Sequence, residues 1–264
     1  MQNRIKLFFL FLVAAFGYVP GFAHGEIVKT TVHYRQGDTD LEGFLVYDNS
    51  VQTPRPGVLV FPEWWGLNDY PKHRAEQLAQ LGYVAFAADM YGNDQVTDAA
   101  DVAAKWMGGV RGDVDLMRAR AKAALDVLAK DPHVDASRIA AIGYCFGGTV
   151  ALELARSGAP IAGVVSFHGG LDTTRPDDAS NIKGKILVCT GGDDAFVPAA
   201  QVEAFEDEMR QGHVNWQVIV YGGAHHAFTN PQADSHHIPN IAYNADADRR
   251  SWAAMRGFFE ELFH

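Results

Sequence analysis

The residues best suited to covalent chemistry lie in the stretch IAAIGYCFGGTVALELA, residues 139–155. An apolar run, a glycine-rich turn and helix-forming residues follow one another there, as in the G-x-S-x-G nucleophile elbow, with Cys145 in the place of the serine. Gly143, Gly147 and Gly148 would let the strand and the helix approach closely. A helix that begins beside Cys145 would direct unpaired N–H groups at its sulfur and favour the thiolate. The stretch predicts a cysteine nucleophile, and the simpler alternative is a glycine-rich turn with a structural cysteine.

Candidates for a general base and an orienting acid follow later, in the order nucleophile, acid, histidine that elbow-type triads use. The segment GGDDAFVP places Asp193 and Asp194 after the apolar run KILVCT, and GGAHHAF places His225 and His226 after NWQVIVY. Open α/β sheets bind ligands at the carboxyl ends of their strands, where both segments begin. The residues alone leave open which aspartate and which histidine would act.

The patterns around these motifs predict the elements that would bring them together. Residues 26–35 and 41–48 alternate polar and apolar residues around Gly37, which predicts an antiparallel strand pair. After residue 57, short apolar runs alternate with amphipathic helical segments, and Gly108, Gly109 and Gly112 are expected to divide residues 98–130 into two helices. This alternation predicts one α/β domain, with a mostly parallel sheet of about eight strands, helices on both faces and antiparallel N-terminal strands.

Four segments together resemble the dienelactone hydrolase family of α/β-hydrolases. They are FPEWWGLND, GYCFGG, GGDDAFVP and HHAFTNP, in this order and spread over most of the chain after residue 23. The resemblance implies an α/β-hydrolase fold and a Cys-His-Asp triad, and its motifs select Cys145, Asp194 and His226. Asp193 and His225 then become neighbours of the site.

The same resemblance implies further roles around the nucleophile. Glu63, in PEWWG, would contact the resting thiol and take part in making the thiolate when substrate binds. A carboxylate there disfavours a second negative charge, so it would hold the thiol protonated until the site rearranges. The plainer alternative is a Glu63 that caps or salt-bridges a surface loop. The backbone N–H groups of Phe146 and Trp64 would form the oxyanion hole.

The chain departs from the family at two positions that hold a dienelactone's carboxylate. Dienelactone-cleaving members have arginines there, whereas this chain has Asn93 in DMYGND and Asn230 in HAFTN. An amide cannot reproduce the bidentate contact of a guanidinium with a carboxylate, which weakens the case for a dienelactone substrate. Aromatic side chains next to the motifs are as often core residues as pocket residues, and His168 suits a supporting role. The candidate substrate pocket consists of Trp65, Tyr91, Asn93, His168, Phe196, Phe228 and Asn230.

Residues 1–23 predict an export signal. Arg4 and Lys6 precede an apolar run over residues 7–16, and the small residues Gly21 and Ala23 precede the expected cut. The run is shorter than the roughly 20 residues of a spanning helix, which favours cleavage over anchoring. A single domain of residues 24–264 would then be periplasmic or secreted. Its formal charge would move from −10 to −12, which argues against nucleic acid or an anionic membrane as partner.

Neither a disulfide nor a metal site is expected. Cys145 and Cys189 end strands that should lie on either side of a third, roughly 9 to 10 Å apart, beyond the roughly 7 Å Cα limit for a bridge. The histidine-rich tract HHAFTNPQADSHH lacks a metal-ligand spacing such as H-E-x-x-H. Catalysis should need no metal and no organic cofactor.

Taken together, the residues predict an exported hydrolase that cleaves a small-molecule ester, lactone or thioester. Cys145, His226 and Asp194 would act through a covalent thioester intermediate. Two alternatives stay open: a non-catalytic binding protein on the same fold, and a redox-sensitive thiol protein, because an exposed thiolate at a helix N-terminus is oxidisable. Turnover that depends on Cys145 would separate the first interpretation from the other two.

Overall fold

Apolar runs in the sequence form the strands of an eight-stranded sheet, and amphipathic segments between them form its helices. A computed structural model describes residues 25–263. The strands are β1 (Ile27–Gln36), β2 (Thr39–Asp48), β3 (Arg55–Phe61), β4 (Val84–Ala87), β5 (Val134–Tyr144), β6 (Gly163–Phe167), β7 (Lys185–Gly191) and β8 (Trp216–Tyr221). The helices are α1 (Asp69–Gln80), α2 (Ala100–Arg111), α3 (Val114–Leu128), α4 (Phe146–Arg156), α5 (Ala199–Gln211) and α6 (Ala245–Phe263).

The strand order is β1-β2-β4-β3-β5-β6-β7-β8. β1 and β2 form an antiparallel hairpin, β2 is also antiparallel to β4, and all further pairings from β4 to β8 are parallel. The predicted α/β-hydrolase sheet, with antiparallel strands at its start, is therefore confirmed. Its parallel part brings the carboxyl ends of β3, β5, β6, β7 and β8 to one edge of the sheet.

Both faces of the sheet are covered, because successive side chains in a strand point to opposite sides. In β3, Leu59 and Phe61 pack into the core beneath α3 and α4, while Val58 and Val60 pack into the core beneath α1 and α6. All four side chains are fully buried, and each such burial contributes roughly 1.5 to 3 kcal/mol. The central strands are consequently rigid supports for the loops that follow them.

The predicted boundary between the two helices of residues 98–130 needs correction. Gly108 and Gly109 lie inside α2 rather than at a boundary. Gly112, which caps the end of α2, and Asp113, which caps the start of α3, separate the two helices. Glycine weakens a helix interior without breaking it, so composition alone misplaced that boundary.

The predicted signal, residues 1–23, lies outside the described residues. Among residues 25–263, no helix is long and apolar enough to cross a membrane.

The two cysteines are both free, as the strand argument predicted. β6 pairs with β5 on one side and with β7 on the other, so it separates Cys145 from Cys189. Cys189 is fully buried in β7, and burial raises the pKa of its thiol to about 12. Cys189 is thus a small apolar core residue.

Candidate active site

Cys145 sits on a sharp turn between β5 and α4, with φ of 53° and ψ of −118°. A residue other than glycine rarely adopts this conformation, so surrounding contacts must hold it. The flanking glycines permit the turn: a Cβ on Gly143 would collide with the carbonyl of Gly147, and a Cβ on Gly147 would collide with that of Phe61. The structure therefore has the geometry of a nucleophile elbow.

His168, which directly follows β6, accepts a hydrogen bond from the backbone of the Cys145 turn. The backbone N–H of Cys145 donates to the Phe167 carbonyl at 3.0 Å and to His168 Nδ1 at 3.1 Å. Because Nδ1 accepts, the ring proton lies on Nε2, which donates to Thr229 Oγ1 at 2.7 Å. Burial and the neighbouring His226 and Arg74 keep the pKa of His168 well below its ordinary value, so the ring is neutral. His168 contacts the backbone of the elbow and is fully buried.

The loops after β7 and β8 bring an aspartate and a histidine to Cys145. His226 Nδ1 donates to Asp194 Oδ2 at 2.9 Å, and His226 and Cys145 line one cavity together. Asp194 Oδ1 accepts the N–H groups of Phe196 and Val197, which fixes the carboxylate. Burial alone would lower the pKa of His226, but the neighbouring Cys145 and the hydrogen bond with Asp194 raise it well above its ordinary value.

Of the two candidate pairs, the second member of each reaches the site. Asp194 and His226 are buried, whereas Asp193 is exposed and His225 half-buried. His225 Nδ1 donates to the carbonyl of Asp193 at 3.1 Å, so these two residues bridge the loops beside the site. The arrangement can pass a proton from a thiol to an imidazole that a carboxylate orients.

Comparisons with known proteins show the family of this chain. A sequence model described as "Dienelactone hydrolase family" matches residues 41–263. The chain belongs to that family. A solved structure named as a dienelactone hydrolase-like promiscuous phosphotriesterase, from metagenomic libraries, is 48% identical, covers 91% of this chain and 100% of its own, and has a TM-score of 0.87. Another, named m3DLH, is 45% identical with the same coverage and a TM-score of 0.88.

A more distant relative is also similar over most of its length. Protein usf of Aquifex pyrophilus is 30% identical over 218 residues, which cover 80% of this chain and 91% of that protein. As a member of the dienelactone hydrolase family, the chain is a hydrolase of the kind that acts on a small-molecule ester or lactone.

Glu63 lies on the loop after β3, but its hydrogen-bond partner differs from the one that the family resemblance implies. Its Oε2 accepts from Asn230 Nδ2 at 2.7 Å, and no hydrogen bond with Cys145 is formed in the described part of the chain. Glu63 does not line the cavity that Cys145 and His226 share. Burial raises the pKa of Glu63 to about 7, against the opposing effects of the Asn230 hydrogen bond and the positive charges of His226 and Arg74.

A mostly apolar cavity of about 180 Å³ opens beside the nucleophile. Its lining includes Cys145, His226, Trp64, Met107, Arg111, Phe146, Thr149, Gly170, Phe196, Val197, Ile238 and Ile241. The two residues predicted to form the oxyanion hole, Phe146 and Trp64, both belong to it. Phe146 is the first residue of α4, so its N–H has no acceptor within the helix.

Of the predicted pocket residues, Phe196 alone lines this cavity. Tyr91 lies behind the wall, stacked on Phe146 and donating to the Trp64 carbonyl at 3.0 Å. Trp65 stacks on His236 in a neighbouring groove.

The other predicted pocket residues serve the surrounding structure. Phe228 is core beneath His168, and His168 itself supports the elbow. Asn230 binds Glu63, and Asn93 lies exposed in a turn whose N–H donates to the Asp40 carbonyl. These residues were predicted to line the pocket because they are close in sequence to the motifs, but their side chains do not line the cavity.

Sequence reasoning missed Arg111, the last residue of α2. Arg111 lines the Cys145 cavity, and its Nη2 donates to Asp172 Oδ1 at 2.6 Å. No local pattern marks it, because a basic residue in the last turn of a helix ordinarily interacts only with the helix dipole. Within residues 25–263, no group of three or more His, Cys, Asp or Glu side chains is arranged to hold a metal ion.

Proposed function

We propose that this hydrolase cleaves small esters, lactones or thioesters through a triad of Cys145, His226 and Asp194. One observation carries the proposal: the buried His226 donates to the Asp194 carboxylate and lines the same cavity as Cys145, which directly precedes α4. The imidazole can take the thiol proton, and the helix N-terminus favours the thiolate that results. The carboxylate stabilises the imidazolium.

In the first step, the Cys145 thiolate attacks the substrate carbonyl carbon and forms an S–C bond. The ester C–O bond then breaks, and His226 gives its proton to the departing alkoxide. In the second step, a water molecule loses a proton to His226 and attacks the thioester carbon, so the carboxylic acid leaves and Cys145 is regenerated. The N–H groups of Phe146 and Trp64 would bind the developing oxyanion in both steps.

The cavity indicates a small acyl or aryl substrate. Its volume of about 180 Å³ lies below the roughly 300 to 1,000 Å³ typical of pockets that take drug-sized ligands. Because most lining side chains are apolar, the hydrocarbon part of the substrate would fill the cavity. Glu63 would influence the site by its charge, because its buried carboxylate interacts with His226.

The test is turnover and covalent labelling with the protein beside two cysteine variants. The substrates are an aryl acetate, an aryl thioacetate, simple lactones, a dienelactone and a neutral phosphotriester, the last because the 48% identical relative is named a promiscuous phosphotriesterase. We expect kcat to fall by at least roughly a thousandfold in Cys145→Ala. Cys189→Ala is the matched control, because that thiol is buried away from the cavity and its loss should leave turnover unchanged.

Rapid quenching and intact-mass analysis would detect the acyl-enzyme. A protein heavier by one acyl group in the parent and absent in Cys145→Ala is the expected result. Turnover without Cys145 dependence would refute the triad. A folded protein that turns over nothing, yet reversibly oxidises at Cys145, would favour the redox alternative, and one that does neither would favour a binding role.

We also propose that residues 1–23 direct export of the mature domain. The basic residues, the short apolar run and the small residues before residue 24 support this. Expression with and without residues 1–23, followed by separation of periplasm and cytoplasm, tests it. An equal distribution of both forms would contradict export.

A further inference from the structure

The Cys145 cavity contains one residue with a permanent positive charge among its described lining residues, and that residue has no role in the triad. Arg111 lines the cavity, and its side chain is 37% exposed. A guanidinium carries five N–H donors in a planar fork. Within residues 25–263, only Nη2 of Arg111 has a hydrogen-bond partner, the Asp172 carboxylate.

The loop after β6 is shaped around this side chain. A Cβ at Gly170 would lie only 3.0 Å from Arg111 Nη2 and 3.3 Å from Thr149 Oγ1, so glycine leaves the space that the guanidinium occupies. Thr149 Oγ1 donates to the Gly170 carbonyl at 2.9 Å, which ties that loop to the first turns of α4, one helical turn after Cys145. Gly170 and Thr149 line the cavity with Arg111.

The positions at which the family resemblance implies substrate-binding arginines do not supply a charge here. Asn93 is exposed and does not line the cavity, and Asn230 is occupied by Glu63. The positive charge therefore reaches the substrate space from a different element, the end of α2. Because the rest of the cavity is mostly apolar, a partly desolvated anion there would interact with Arg111 more strongly than in water.

We propose that Arg111 determines specificity by binding an anionic group, such as a carboxylate, on the ester or lactone substrate, and that Asp172 competes for the same donors. In the absence of an anionic group, Asp172 holds the guanidinium. An incoming carboxylate replaces it in a bidentate pair, and Asp172, which is 54% exposed, returns to solvent at little cost. This inference rests on the proposed function.

The experiment compares each anionic ester with its neutral methyl ester. One pair is 4-carboxyphenyl acetate and 4-(methoxycarbonyl)phenyl acetate, with the charge on the leaving group. The other is the mono-4-nitrophenyl ester of adipic acid and its methyl ester, with the charge on the acyl chain. In Arg111→Gln we expect kcat/KM for an anionic member of at least one pair to fall roughly tenfold, mostly through KM, while its methyl ester changes less than about twofold.

Three further variants make the result specific. Asp172→Asn should lower KM for that same anionic ester by roughly threefold, because the competing charge is gone. Arg111→Lys should recover part of the lost activity, since it keeps the charge without the fork. Arg175→Gln is the matched control, because Arg175 pairs with Asp115 on the surface and does not line the cavity.

Equal losses on the anionic and neutral members of both pairs would overturn the inference, as would an Arg175→Gln effect as large as that of Arg111→Gln. These outcomes are distinct from failure of the proposed function. If the proposed function is wrong, Cys145→Ala would retain turnover of the neutral esters. If the neutral esters need Cys145 and only the charge selectivity is missing, the triad stands and the role of Arg111 is wrong.

Discussion

Replacing Glu63 by glutamine should change how the stability of the protein depends on pH. The Glu63 side chain is buried, and burial raises the pKa of its carboxyl from 4.5 to about 7. In the unfolded chain the carboxyl is exposed and ionises at its ordinary value. Between pH 4.5 and 7 the folded state therefore binds more protons than the unfolded state, and stability decreases as pH rises.

The size of the effect follows from the shift. Each pKa unit corresponds to about 1.4 kcal/mol, so ionising Glu63 in place costs roughly 3 kcal/mol of unfolding free energy above pH 7. Glutamine has the same shape, stays uncharged and can still accept from Asn230 Nδ2. We expect Glu63→Gln to gain roughly 3 kcal/mol relative to the parent between pH 4.5 and 8, or roughly 10 °C in Tm.

The measurement is urea unfolding of both proteins at several pH values from 4.5 to 8.5. His168, whose pKa is lowered, destabilises the folded state as pH falls, but it does so in both proteins and cancels in the difference. Glu203→Gln, at an exposed position on α5, controls for the change in net charge. A difference between Glu63→Gln and the parent that stays constant over this range would refute the reasoning, because the carboxyl would then not be desolvated.

Other parts of the site give three further expectations. His168→Phe removes one of the two acceptors of the Cys145 N–H, so kcat for a neutral ester should fall at least roughly tenfold with KM nearly unchanged, and His168→Gln should recover part of it. Equal kcat values in all three proteins would contradict a positioning role. Gly147→Ala would drive a Cβ into the Phe61 carbonyl and should lower the unfolding free energy by roughly 3 kcal/mol or more, which urea unfolding against a Gly109→Ala control would show. Iodoacetamide should add one group to the native protein at pH 8 and none to Cys145→Ala, because burial raises the pKa of Cys189 to about 12; labelling of folded Cys145→Ala would disprove the burial argument.

The sequence predicted the fold well, for a physical reason. Parallel strands that are buried on both faces read as short apolar runs, and their carboxyl ends meet at one edge of the sheet. Candidate residues that directly follow such runs must therefore lie near one another. This reasoning placed Cys145, Asp194 and His226 correctly with respect to the sheet, and the motif resemblance selected between neighbouring residues.

Reasoning from the sequence failed where a contact depends on how helices, strands and loops pack against one another. Arg111 reaches the cavity because the end of α2 lies beside the loop after β6, and no spacing along the chain encodes that proximity. Glu63 and Asn230 are 167 residues apart in sequence and meet only in the folded protein. Tyr91 and Phe228 were placed near the motifs correctly, but the direction of each side chain depends on backbone turns that composition does not reveal.

The side-chain amide of Asn230 affects the charge of Glu63. A guanidinium in that place would pair with Glu63, hold its pKa down and also attract a substrate anion. Asn230 donates a single uncharged hydrogen bond, so burial prevails and the pKa of Glu63 rises to about 7. The two effects of a guanidinium are consequently separated in this chain. Near neutral pH the protonation of Glu63 sets the charge next to His226, while Arg111, which donates to Asp172, is the arginine that lines the cavity.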